Sequence, residues 1–89
     1  MIYTLSRQAK ADIKVIIRYT DRHFGEAQTQ EYVDGLFCSF ELLTDNPHMG
    51  RKWDDEKRRY IYRMHHVYYR ILGDQILITQ IRHSGQSLP

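Results

Sequence analysis

The residue types best suited to recognition or catalysis crowd between positions 58 and 70: Arg58, Arg59, Tyr60, Tyr62, Arg63, His65, His66, Tyr68, Tyr69 and Arg70. Four of the seven tyrosines fall there within ten residues. A guanidinium donates two parallel hydrogen bonds to a phosphate or carboxylate, and a tyrosine ring offers a stacking face for a base or for apolar protein surface. Nucleic acid and protein both fit such a surface. A structural role fits it equally, because tyrosine is a strong strand former and arginine pairs well across strands on a solvent-facing side. His65 and His66 are adjacent, so in an extended chain their rings point to opposite faces and do not share a metal. His23, His48 and His83 are scattered, and no Cys-x-x-Cys or His-Glu-x-x-His spacing occurs, so neither a metal nor another cofactor is expected. The glycines are too widely spaced for a phosphate-binding loop, which removes nucleotide hydrolysis and nicotinamide chemistry. Arg82 and His83 close the last apolar run. A histidine that protonates a leaving oxygen and an arginine that holds an anion are the minimum equipment for RNA cleavage through the 2′-hydroxyl, with a plain strand-end histidine as the alternative.

The elements that must position these residues follow from periodicity. Ile2, Tyr3, Thr4 and Leu5 read as a first strand. Ser6 supplies a hydroxyl for a helix start, and Ala9, Ile13, Ile16 and Ile17 recur at helical spacing, which predicts a helix over roughly 6 to 22. Phe24 and Gly25 interrupt it. Tyr32, Val33, Leu36, Phe37, Phe40 and Leu43 then predict a second helix from Glu26 to about Thr44, closed by Asn46 and Pro47, so the two helices form an antiparallel hairpin. Cys38 lies in this apolar stretch and is expected as a buried thiol. Residues 51 to 58 are almost wholly charged apart from Trp53 and read as an exposed loop. Beyond them the period is two: a strand from Tyr60 to Met64, a turn at His65 and His66, a strand from Val67 to Leu72, a turn at Gly73 and Asp74, and a central strand from Ile76 to Arg82. The fold class is therefore α+β with element order β-α-α-β-β-β. A helical hairpin packs on one face of a small antiparallel sheet, the first strand joins its edge, and the other face carries the tyrosines, arginines and histidines.

The 89 residues, 10.7 kDa, are enough for one hydrophobic core, so residues 1–89 are read as a single domain. With 42% hydrophobic and 27% charged residues the chain is ordinary for a folded protein. No run of eighteen apolar residues occurs, and Arg7 and Lys10 precede any apolar stretch, so neither a membrane span nor a secretory signal is expected and the cytoplasm is. A lone cysteine agrees with a reducing compartment. The net charge of +2 conceals an asymmetry: residues 1 to 50 carry five Lys/Arg against seven Asp/Glu, and residues 51 to 89 carry eight against four. The basic second half either faces an anionic partner or merely keeps the protein soluble.

These segments together resemble the RelE/ParE superfamily of toxins from type II toxin-antitoxin systems, and within it the ParE branch. The resemblance rests on Leu5-Ser6 through Ala9-Asp12, Arg18-Tyr19-Thr20, Phe24-Gly25, Gln28 and Tyr32, then Leu42-Leu43, Asn46-Pro47 and Gly50-Arg51. Arg59-Tyr60, Val67-Tyr68-Tyr69-Arg70-Ile71, and Ile81 with His83 continue it. It implies the same element order and a toxin that poisons DNA gyrase by binding, without being an enzyme. It also implies a ParD-like antitoxin, encoded beside the toxin, that wraps and blocks it in a hetero-oligomer. Neither a membrane nor a specific nucleic-acid sequence is then a partner. On this reading Arg59, Tyr60, Arg63, Arg82 and His83 contact the target, and Tyr19, Trp53 and Tyr69 contact the antitoxin. RelE-like relatives instead cut messenger RNA on the ribosome, which would make Arg63, Arg82 and His83 catalytic. The chain lacks the lysine-rich surface that suits a protein reaching ribosomal RNA, and +2 is low for such a ligand. The pattern departs at the end: Ser84 to Pro89 stand where ParE-like chains carry an acidic residue and a short tail. That departure implies, as a further alternative, a shortened toxin that binds antitoxin and poisons weakly.

Overall fold

The computed structural model of the chain describes residues 1–85. Its elements are β1 (Ile2–Leu5), α1 (Arg7–Phe24), α2 (Glu26–Asp45), β2 (Arg51–Lys52), β3 (Arg58–Tyr62), β4 (His65–Leu72) and β5 (Gln75–His83). Ser6 starts α1 as expected of a cap: its hydroxyl oxygen accepts from the Ala9 N–H at 3.0 Å. The same hydroxyl donates to the Thr79 carbonyl at 2.7 Å, which pins the helix entry to β5. Gly25, at φ 88°, is the whole connection between the helices. Asn46 closes α2 by donating its backbone N–H to the Leu42 carbonyl, and Pro47 follows.

The five strands form one sheet in the order β1-β5-β4-β3-β2. β3, β4 and β5 are successive antiparallel neighbours, whereas β1 runs parallel to β5 with Ile2 opposite Gln75. The expected antiparallel sheet with the first strand at its edge is thus found, and that edge pairing is parallel because the helical hairpin returns the chain in the sense a parallel pair needs. Two smaller corrections concern the basic segment. Arg51 and Lys52, read as loop, pair with Arg59 and Arg58 as a two-residue edge strand too short to show a period. The β3–β4 turn falls at Arg63 and Met64, not at the histidines, which open β4.

Both helices cover one face. Ala9, Ile13 and Ile16 of α1 and Leu36, Phe40 and Leu43 of α2 meet Val67, Tyr69, Ile76, Ile78 and Ile81 of the sheet. Each of the isoleucine, leucine, valine and phenylalanine side chains among them contributes about 1.5–3 kcal/mol through burial. Cys38, expected in this core, is exposed. Two residues along a helix turns the side chain by about 200° from Leu36, to the opposite side.

Gly35 sits in the middle of α2, where alanine ordinarily gains about 0.5–1 kcal/mol. Here a Cβ would collide with the Tyr62 hydroxyl and come within 3.0 Å of Tyr62 Cζ, while that hydroxyl is held by its hydrogen bond to the Tyr32 carbonyl at 2.8 Å. Gly35→Ala is therefore expected to lose about 1–2 kcal/mol in urea unfolding, with partial recovery when Tyr62→Phe removes the hydroxyl. A midpoint above wild type would show that Tyr62 swings away freely.

Candidate functional site

Two clusters of polar and aromatic side chains remain outside the core, at one end of the sheet and on its helix-free face. The end cluster is assembled by the tight β3–β4 turn, in which Arg63 adopts φ 48°, and by α2, which delivers Tyr32. The Tyr32 hydroxyl lies 2.6 Å from His65 Nδ1 and receives the Met64 N–H at 3.3 Å. The hydroxyl keeps a proton and a second lone pair beyond the Met64 bond, so the Tyr32–His65 bond runs in either direction according to the imidazole tautomer. Tyr32 and Tyr62 rings meet edge-on at 5.1 Å, and the Arg63 guanidinium lies 5.8 and 5.7 Å from their centroids, within cation–π range. His83 pairs with His65 across the β4–β5 ladder, their rings perpendicular at 5.5 Å, and its Nδ1 accepts the Gly85 N–H at 3.1 Å.

Burial, and then the neighbouring His83 and His66, push the His65 pKa down to about 4. At neutral pH His65 is thus an uncharged imidazole and not an imidazolium acid. Its folded pKa lies below the unfolded value of about 6.5, so the unfolded chain binds more protons between those two values. The stabilisation is complete above about pH 6.5 and is lost as the pH falls toward 4. Solvent screening at the half-buried ring reduces the linkage energy to about 1–2 kcal/mol. His65→Gln, which retains a hydrogen-bond acceptor, is expected to flatten the fall in melting temperature between pH 7 and pH 4.5. Parallel pH profiles for the two proteins would sink this account.

The second cluster follows from strand alternation. Cross-strand register aligns Arg59, Tyr68 and Gln80, and next to them Ile61, His66 and Arg82, all on the side away from the helices. Tyr68 is only 1% exposed despite facing that side, because Trp53 from the loop after β2 closes over it, the rings meeting edge-on at 5.5 Å. The Arg59 guanidinium lies 4.9 Å from the Trp53 centroid. Burial, with Arg59 and His83 nearby, lowers the His66 pKa. Arg70 lies on the same face of β4, two residues from Tyr68.

The residues expected to contact the target therefore divide. Arg59 is on the open face, whereas Tyr60 points toward the helices and packs against the core. Arg63 and His83 are exposed in the end cluster. Arg82 reaches the β5 edge, its Nη1 3.9 Å from Asp12 Oδ1. Asp12 is buried and also accepts the Ile81 N–H at 2.9 Å and Gln8 Nε2 at 2.8 Å. Of the residues expected to contact the antitoxin, Tyr19 is exposed and stacked on His23 at 4.0 Å, and Trp53 is 39% exposed. Tyr69 is corrected: it is fully buried, its hydroxyl accepting the Gly50 N–H and donating to the Pro47 carbonyl, and it presents no area to a partner. Gln86 to Pro89, most of the divergent tail, lie outside the described residues. Tyr32 and Gln80 are residues of these clusters that the sequence does not single out for a site. Tyr32 carries only the helical period of a core position, and Gln80 shows its place only once the β5 register is known. Among the described residues no group of three or more His, Cys, Asp or Glu side chains is arranged to hold a metal ion, and no helix is long and apolar enough to cross a membrane.

The architecture is thus a five-stranded sheet covered on one face by a helical hairpin, with arginines and aromatic rings on its uncovered parts. The chain belongs to the ParE toxin family of the type II toxin-antitoxin system parDE, whose family model matches residues 3–88. It is 33% identical over 90 residues to Toxin ParE1 of Caulobacter vibrioides (strain ATCC 19089 / CIP 103742 / CB 15), covering 96% of this chain and 91% of that protein. Its fold is similar to a chain in the solved structure of the chromosomal ParDE TA system from P. aeruginosa. The TM-score is 0.81 at 22% identity, over 93% of this chain and 95% of that one.

Proposed function

We propose that this ParE-type toxin arrests growth in the cytoplasm by binding DNA gyrase, without chemistry of its own, and that a ParD-like antitoxin neutralises it by wrapping its surface. The observation that carries the reading is the family match across residues 3–88. The geometry supports it: Arg59 and Arg63 are held by aromatic rings on open surface, where they suit a protein contact, and His65 is uncharged at neutral pH. Toxin freed of antitoxin and incubated with gyrase and supercoiled plasmid is expected to give linear plasmid and to leave a mapped message intact on translating ribosomes. Cut message with untouched plasmid would overturn the proposal and turn His83, Arg63 and Arg82 into catalytic candidates. Neither plasmid nor message altered, with the toxin folded and in excess, would favour a protein that binds antitoxin and poisons weakly.

A further inference from the structure

The open face of the sheet contains three buried polar atoms without a hydrogen-bond partner, Arg59 Nε, Arg70 Nε and Gln80 Oε1. They surround one residue: Arg59 and Gln80 flank Tyr68 across the strands, and Arg70 follows it on the same side of β4. Buried groups left unpaired are costly and uncommon, so three around a single ring mark a place where a ligand completes the bonding. From this complement we propose that the face seats an acidic segment of the antitoxin, which brings a side-chain carboxylate to Arg59 and Arg70 and a backbone N–H to Gln80. The inference rests on the antitoxin reading above and adds the site and its chemistry.

The pattern of donors and acceptors selects the occupant. Two of the atoms are cationic donors and one is an acceptor. A phosphodiester backbone offers acceptors only and leaves Gln80 Oε1 unpaired, whereas a polypeptide with Asp or Glu offers both. Charge points the same way. Among the described residues no carboxylate lies within 4.0 Å of the Arg59 or Arg70 guanidinium, and the salt bridge found is that of Arg82 with Asp12. Asp54 lies beyond 4.0 Å of the Arg70 guanidinium and turns Oδ1 to the Glu56 and Lys57 N–H groups at 2.8 and 2.7 Å. Trp53, 39% exposed, supplies apolar area for the methylenes of the incoming side chain. Arg59 is also among the residues proposed to contact the target, so an acidic segment seated here excludes the target directly.

Full-length toxin variants Gln80→Met and Arg70→Gln, titrated calorimetrically with the separately purified ParD-like antitoxin, test the inference. Gln80→Met removes a buried unpaired acceptor and is expected to raise the melting temperature by about 4 °C while weakening antitoxin binding roughly tenfold. These opposite signs separate a binding role from a structural one. Arg70→Gln is expected to weaken binding by at least about tenfold and to reduce its salt dependence. Hexaglutamate should compete with the antitoxin, and the oligonucleotide dT6 should not. Wild-type affinity in both variants, or displacement by dT6 in preference to hexaglutamate, overturns the inference alone. Failure of the wild-type toxin to bind antitoxin overturns the antitoxin reading itself and removes the proposed occupant.

Discussion

Gly50→Ala should cost at least about 3 kcal/mol, a large part of the roughly 5–15 kcal/mol that holds a domain of this kind together. A Cβ at position 50 would lie 2.6 Å from the Tyr69 hydroxyl, 2.7 Å from its Cε1 and 2.9 Å from the Arg59 carbonyl oxygen. None of the three is free to retreat. The Tyr69 ring is completely buried and its hydroxyl is tied to the Pro47 carbonyl at 2.8 Å and the Gly50 N–H at 2.9 Å. The Arg59 carbonyl belongs to β3, and Arg58 on the same strand donates Nε to the Gly50 carbonyl at 2.8 Å and Nη2 to that of His48 at 3.1 Å. Relief therefore requires the segment between α2 and β2 to lift away, which breaks several of these bonds together. Tyr69→Phe loses the hydroxyl without adding bulk and leaves the Gly50 N–H and Pro47 carbonyl unpaired, for about 1–3 kcal/mol. Both substitutions damage one contact, so the double variant should lose less than the sum of the two. Urea unfolding of the three proteins reads this directly, and a wild-type midpoint for Gly50→Ala would show that the loop yields without cost.

The same contact shows why some of this fold was legible in the sequence and some was not. Ser6, Gly25 and the Asn46-Pro47 pair act on their immediate neighbours, so the helices end within a residue or two of where those signals place them. The parallel pairing of β1 with β5 joins residues more than seventy positions apart and leaves no local trace. Tyr68 and Tyr69 are both aromatic in a strand, so alternation assigns them to opposite faces without saying which face is covered. The irregular register between them, against β5, adds to that ambiguity. Trp53 then buries Tyr68 from the far side, so both tyrosines are buried and for different reasons. Cys38 misled because Val33, Phe37 and Leu42 broaden the apolar pattern of α2 beyond its buried stripe. In the candidate site, the arginines and the histidine pair were legible from their types. Their grouping was not, since Arg59 and Tyr60, adjacent in sequence, end on opposite faces.

If target binding resides at the end cluster and the adjoining edge, the double variant Arg63→Glu, Arg82→Gln is expected to abolish growth arrest on induction without antitoxin. The two positions call for different substitutions. Arg63 is exposed in the turn, steadied only by the Tyr32 and Tyr62 rings, and among the described residues no carboxylate lies within 4.0 Å of it. Reversing its charge costs the fold little and places repulsion where an anionic partner surface approaches. Arg82 faces Asp12 at 3.9 Å, and Asp12 also carries the Ile81 N–H, so glutamate there would set two carboxylates together against β5 and confuse loss of function with loss of structure. Glutamine removes the cation and leaves Asp12 its remaining bonds to Ile81 and Gln8. Truncating one partner of a charge pair buried at a protein interface costs about 2–5 kcal/mol, or roughly 30- to 4,000-fold in affinity, so loss at both positions should exceed what overexpression can offset. Circular dichroism and melting close to wild type must accompany the loss. A soluble, folded double variant that still arrests growth would move the toxic surface away from this end of the sheet, and the open face around Arg59 would then be the place to test.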